Sequence, residues 1–203
     1  MNYFVTAIGT DSGKTLVSAI LCEALHADYW KPVQAGLPLD RDRVKELVTN
    51  KTTSFHEEGF FLKTPASPHA AAKLDDIKIE LNTFKLPATS NDLVIEGAGG
   101  CLVPLNDDNF VIDLVSQFEC NIVLVADLYL GSINHTLLTV QELRRRGLKV
   151  KGIIFNGDTN PESERIILHH SNIRCILNIE KEPVINSDIV KKYADQLLMN
   201  WYE

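Results

Sequence analysis

The sequence runs to 203 residues with 45% hydrophobic and 23% charged side chains, proportions ordinary for a soluble globular chain able to bury a full core. A formal net charge of −7 argues against a nucleic-acid partner, because phosphate-backbone binding needs clustered Lys and Arg. Four scattered cysteines, Cys22, Cys101, Cys120 and Cys175, form no CxxC pair, which argues against a disulfide framework or zinc site and predicts reduced thiols.

The chain opens as MNYFVTAIGT, with neither a basic leader nor a long apolar span, which predicts a cytoplasmic protein with no membrane segment. Strands are predicted at Tyr3–Ala7, Tyr29–Val33, Leu93–Glu96, Ile122–Ala126, Val150–Asn156 and Cys175–Asn178. Several are apolar throughout instead of alternating, the pattern of parallel strands buried on both faces. Helices are predicted between them at Lys14–Leu25, Arg41–Val48, Phe110–Phe118, Asn134–Arg145, Pro161–His169 and Ser187–Leu198. The first carries Leu16, Val17, Ile20, Leu21 and Leu25 at helical spacing. The basic run Arg144–Arg146 before Gly147 reads as a helix end, where cations meet the negative pole of the helix and Gly follows. The alternation predicts a single α/β domain over residues 1–203, a P-loop NTPase-like, mostly parallel sheet with helices on both faces. In such sheets ligands sit beyond the carboxyl ends of the strands.

The first strand leads into Ala7-Ile8-Gly9-Thr10-Asp11-Ser12-Gly13-Lys14-Thr15, which opens a helix. Backbone N–H groups of such a loop form an anion site, so residues Gly9 to Thr15 are nucleotide-binding candidates. Lys14 adds charge at the β- and γ-phosphates, and the Thr15 hydroxyl supplies a ligand to Mg²⁺. Ile8 stands where the strict GxxxxGK[ST] pattern has its first Gly, and Gly9 stands where partition-type ATPases carry a second lysine.

The loop resembles that of the dethiobiotin synthetase family, G-T-D-T-E-V-G-K-T or G-I-G-T-D-V-G-K-T, departing at Ala7 and Ser12. Four further blocks follow in order. Lys31-Pro32-Val33-Gln34-Ala35-Gly36 is similar to KPVxSG, Pro65–His69 to PxSPH, Val94–Gly100 to VEGAGG, and Leu130–His135 to LGxINH. Gly152–Asn156 resembles the strand end that contacts adenine. The matches lie within residues 3–157.

This resemblance implies ATP-dependent conversion of 7,8-diaminopelargonate and CO₂ to dethiobiotin, ADP and phosphate, through a carbamate and a carbamic–phosphoric anhydride. It implies Mg²⁺ as cofactor and a homodimer with no membrane or nucleic-acid partner. Lys14, Lys31 and Thr10 become catalytic candidates, and Asp11, Ala35, Gly97 and Gly99 join Lys31 as substrate-binding ones. The helix start at Ser132-Ile133-Asn134 is a candidate for the substrate carboxylate, and Asn156 for adenine. Glu96 ends an apolar strand, a costly place for a charge without a cation nearby, and it shares Mg²⁺ with Thr15. The third metal ligand is Asp40 or Asp42, with Asp40 fitting the family pattern better.

Each has a plainer reading. Glu96 and Lys31 could simply pair with opposite charges, Asp40 or Asp42 could cap a helix, and Ser132 or Asn134 could do the same. Asn156 could be a turn residue. Cys101 reads as a small buried thiol and His169–His170 as a solvated helix face; nothing assigns a role to His69 or His135. The alternative functions are a nucleotide-switch ATPase of the partition type and an amidoligase, the latter lacking here the C-terminal glutaminase of its relatives.

Overall fold

The computed structural model describes residues 1–202. Strand β1 (Asn2–Ala7) passes through the glycine loop into α1 (Lys14–Leu25), followed by β2 (Asp28–Trp30), β3 (Val33–Ala35) and α2 (Asp40–Leu47). Next come β4 (Phe60–Leu62), α3 (Pro68–Leu74) and β5 (Leu93–Gly100). The chain continues as α4 (Asp113–Gln117), β6 (Asn121–Asp127), α5 (Ser132–Arg145), β7 (Val150–Asn156), α6 (Pro161–Ser171), β8 (Cys175–Ile179) and α7 (Ser187–Trp201).

Six strands form one sheet in the order β2-β5-β1-β6-β7-β8, every pair parallel. The side chains of β1 show why its sequence is apolar throughout. Tyr3, Val5 and Ala7 enter a core shared with α1, α2 and α7, while Phe4 enters the opposite core with α3, α4, α5 and α6. A period-two strand with helices on both faces has no solvent side to mark with polar residues. Gly147, left-handed at φ 67°, ends α5 after its basic last turn as expected.

The expected strand Tyr29–Val33 is two strands in two sheets. β2 stops at Trp30, Lys31 and Pro32 lie in the gap, and β3 pairs with β4 in a separate parallel ribbon. Proline cannot donate to a ladder, so the sheet ends where Pro32 would have to pair. The strand holding Glu96 also runs further than expected, to Gly100, which lies beside Ala7 of β1. Ala7 sits in extended backbone, where its Cβ is tolerated.

Candidate active site

The loop after β1 turns on two left-handed residues, Asp11 (φ 58°) and Gly13 (φ 97°), and Gly13 is the N-cap of α1 without any side-chain cap. Its backbone donors are thus left for a ligand. Inside the loop the Gly9 carbonyl accepts from Ser12 Oγ at 3.3 Å and Lys14 Nζ at 3.2 Å. The Asn156 amide, at the end of β7, donates from Nδ2 to the Ser12 carbonyl at 3.0 Å. A Cβ on Gly13 would collide with that amide, so glycine serves here both the turn and the close approach.

A second set of side chains converges beside Lys14. Glu96, buried in β5, receives Thr15 Oγ1 at 3.0 Å and Lys31 Nζ at 2.9 Å on Oε1, and Tyr29 Oη at 3.0 Å on Oε2. Lys31 Nζ also pairs with Asp40 Oδ2. The lysine is only 5% exposed, so the carboxylates replace the water its ammonium has lost. Burial alone would lower the Lys31 pKa, but Glu96 and Asp40 outweigh it and hold it above the ordinary lysine value. Burial would raise Glu96; Lys31 outweighs that and keeps its carboxyl below the usual range. Lys14 lies lower than an ordinary lysine, through burial first and with Lys31 adding to the effect.

Asp40 is the first residue of α2, and its position is set by Gln34. The Gln34 amide donates to the Gly36 carbonyl (3.2 Å) and the Pro38 carbonyl (3.4 Å), and its Oε1 accepts from the Asp40 N–H (3.3 Å). Leu39 is the N-cap of α2, so neither Asp40 nor Asp42 caps that helix. Asp42 is exposed beside Arg41, away from this cluster.

These residues line a cleft of about 720 Å³. Of the expected site residues it gathers Thr10, Asp11, Gly13, Lys14, Thr15, Lys31, Ala35, Asp40, Glu96 and Gly99. Pro65–Pro68, the segment that leads into α3, and Val103 line it as well. Gly9 and Ser12, within the phosphate loop, and Asn156, bonded to its far side, do not line the cleft, and Gly97 backs onto the Phe4 ring. Ser132, Ile133 and Asn134 do not line the cleft. The N-cap there is Gly131 (φ 111°) with no side-chain cap, so the capping reading of Ser132 and Asn134 is not realised. Tyr29 and Gln34 were not among the expected site residues. No sequence signal points to Tyr29; an amide among apolar residues in Pro32–Ala35 was the available clue to Gln34. Cys101 is buried, and burial raises its thiol pKa.

Thr15, Asp40 and Glu96 suit a magnesium ion: all three offer hard oxygen atoms, and a cation, the Lys31 ammonium, already sits against both carboxylates. Among the described residues no three His, Cys, Asp or Glu side chains gather to hold a metal. A two-carboxylate, one-hydroxyl set leaves coordination positions for phosphate and water, as magnesium–nucleotide sites do.

A family model described as an AAA domain matches residues 1–188. The chain is 56% identical to the ATP-dependent dethiobiotin synthetase BioD of Cytophaga hutchinsonii, over 99% of this chain and 98% of that protein. To the ATP-dependent dethiobiotin synthetase BioD of Christiangramia forsetii it is 49% identical, over 96% and 95%. Among solved structures, a ParA family ATPase from Chlorobium tepidum superposes with a TM-score of 0.62 at 10% identity, covering 100% of this chain and 97% of that one. The cell division ATPase MinD of Pyrococcus furiosus does so at 0.56 and 12% identity, covering 98% of each. The structural likenesses establish the P-loop fold and no more, whereas the sequence matches extend through every residue of the cleft. By that measure the chain is an enzyme of the ligase class and belongs to the ATP-dependent dethiobiotin synthetase family.

Proposed function

We propose that this protein closes the ureido ring of dethiobiotin from 7,8-diaminopelargonate, CO₂ and ATP. One observation carries the reading: Lys14, Thr15, Lys31, Asp40 and Glu96, from four separate chain segments, share one cleft at the carboxyl edge of a parallel sheet. One substrate amine adds to CO₂ and loses a proton, giving a carbamate. A carbamate oxygen attacks the γ-phosphorus, and the bond to ADP breaks. The second amine then attacks the carbonyl carbon of the mixed anhydride, the carbon–oxygen bond to phosphate breaks, and phosphate leaves as the ring closes.

The chain's own contribution is positioning and charge neutralisation, which is what phosphoryl transfer needs. The backbone from Gly9 to Thr15 cradles the phosphates, Lys14 meets the β- and γ-phosphates, and Thr10 donates to the group in transit. Lys31 balances the carbamate and γ-phosphate. Asp11, Ala35, Gly97 and Gly99 border the diamine. A magnesium ion held by Thr15, Asp40 and Glu96 neutralises phosphate charge when bound. Asn156 has one amide hydrogen on Ser12, leaving Oδ1 to accept from the adenine amino group. The protein works as a homodimer, in which the α5 start at Ser132, Ile133 and Asn134 offers its N–H groups to the substrate carboxylate of the other subunit's cleft. The exposed Tyr129, Leu130 and Ile133 favour such an interface.

The test is ADP release from ATP by the purified protein. It should require both 7,8-diaminopelargonate and bicarbonate, with dethiobiotin appearing in equal amount; ADP release indifferent to the diamine would refute the reading.

A further inference from the structure

Lys31 holds the position that the reading above gives to a metal ion. Its ammonium touches Glu96 Oε1, the oxygen that also accepts from Thr15, and Asp40 Oδ2. Magnesium binds oxygen at about 2.1 Å and insists on its geometry. An ammonium lodged between the same two carboxylates takes up the space and the negative charge that such an ion needs.

We propose that Lys31 is the resident cation of this site in the nucleotide-free protein, and that magnesium–ATP takes its place by exchange. The inference rests on the metal reading above, and adds that metal and lysine occupy the site in turn. Three features of the cleft fit an exchange and not a fixed salt bridge.

The first is charge. Glu96, Asp40 and the exposed Asp11 face Lys14 and Lys31, so most of the negative charge in the cleft is already met before any ligand arrives. A divalent ion entering alone would leave the cleft with a net positive charge in a largely buried place. Arriving with a nucleotide, it brings phosphate oxygens that give the displaced ammonium a new partner.

The second is which parts can move. Lys31 reaches the site on a flexible four-carbon stem and makes no directional fork of bonds, as an arginine would. Glu96 is tied independently of it by Tyr29 and Thr15, and the backbone that carries Asp40 by Gln34. Removing the lysine head therefore leaves Glu96 fixed and Asp40 free to turn to an incoming metal.

The third is proximity. Lys31, Thr10, Asp11 and Lys14 line the same cleft, so the released ammonium swings within the cavity that receives the γ-phosphate. The movement that admits the metal also delivers Lys31 to the reacting groups.

The experiment is manganese binding, followed by electron paramagnetic resonance, with and without a non-hydrolysable ATP analogue. Wild type should bind Mn²⁺ weakly alone and far more tightly with the analogue. Lys31→Met should bind Mn²⁺ without nucleotide at least about tenfold more tightly than wild type, since a unit charge has left the contact shell. Adding Glu96→Gln to Lys31→Met should abolish that gain. No gain in a folded Lys31→Met protein overturns the exchange while leaving the metal reading intact. If Glu96→Gln fails to weaken Mn²⁺ in the analogue complex of otherwise wild-type protein, the metal reading itself fails and the exchange with it. Wild type also supplies a check that needs no Lys31 variant to fold. With ¹³Cε-labelled lysine, the Lys31 resonance should stay put on adding Mg²⁺ alone and shift when the analogue follows; a resonance unmoved by both together refutes the proposal.

Discussion

Tyr29 donates to the one Glu96 oxygen that Thr15 and Lys31 leave free, across 67 positions of sequence and wholly out of contact with water. Burial and then the Glu96 charge raise its own pKa, so it stays a donor at any ordinary pH. Tyr29→Phe keeps the ring, which packs beside Phe55 at 6.5 Å between centroids, and removes the hydroxyl. A hydrogen bond to a charged acceptor is worth about 1.5–3 kcal/mol, so the melting temperature should fall. Freed to rotate, the carboxylate should also hold Mn²⁺ several-fold more weakly in the nucleotide complex. A lower melting temperature with unchanged metal affinity would make Tyr29 a packing residue and nothing more. Lys14 and Thr15 were legible because a phosphate loop is a local pattern whose chemistry lies within nine consecutive residues. The plain pairing of Lys31 with carboxylates was legible as one of two readings, and the cleft shows that pairing with Glu96 and Asp40. Tyr29 was not legible, because its only mark is a single bond formed when β2 and β5 lie side by side.

At the level of elements, the six parallel strands could be read because each is a run of apolar residues with no polar face. The β3–β4 ribbon could not, since its strands are three residues each, and α3 is a mere seven-residue helix. Yet the ribbon carries Gln34, and Gln34 shapes the loop that presents Asp40. Gln34→Leu conserves bulk while removing bonds to three backbone groups, leaving the buried Gly36 carbonyl without its partner. The sheet and major helices should persist, with a near-native far-ultraviolet circular dichroism spectrum. Mn²⁺ affinity in the nucleotide complex should drop with Asp40 misplaced. Native affinity in that variant would show that α2 finds its place without Gln34.

For the whole molecule, the open question is what covers the apolar start of α5. Leu130 is fully exposed, next to Tyr129 at 45% and Ile133 at 37%, with Leu138 at 55% a turn further on. If subunits meet there, light scattering should give twice the 22.7 kDa chain mass, and Leu130→Asp should shift the population to the single-chain mass. A wild-type protein at the single-chain mass at working concentration would rule out the dimer. The far end of the chain holds a different kind of dependence. Helix α7 lies on α1, where Val190, Tyr193, Ala194, Leu197 and Trp201 share a core with Val17, Ile20 and Leu21, and Trp201 meets Tyr3 of β1 edge-on at 5.1 Å. The phosphate loop joins β1 to α1, so its shape depends on a helix remote from it in sequence. Its strand, too, lies between β5 and β6 and is held by both. Loosening α7 should therefore register as weaker nucleotide binding, although no residue of that helix lines the cleft.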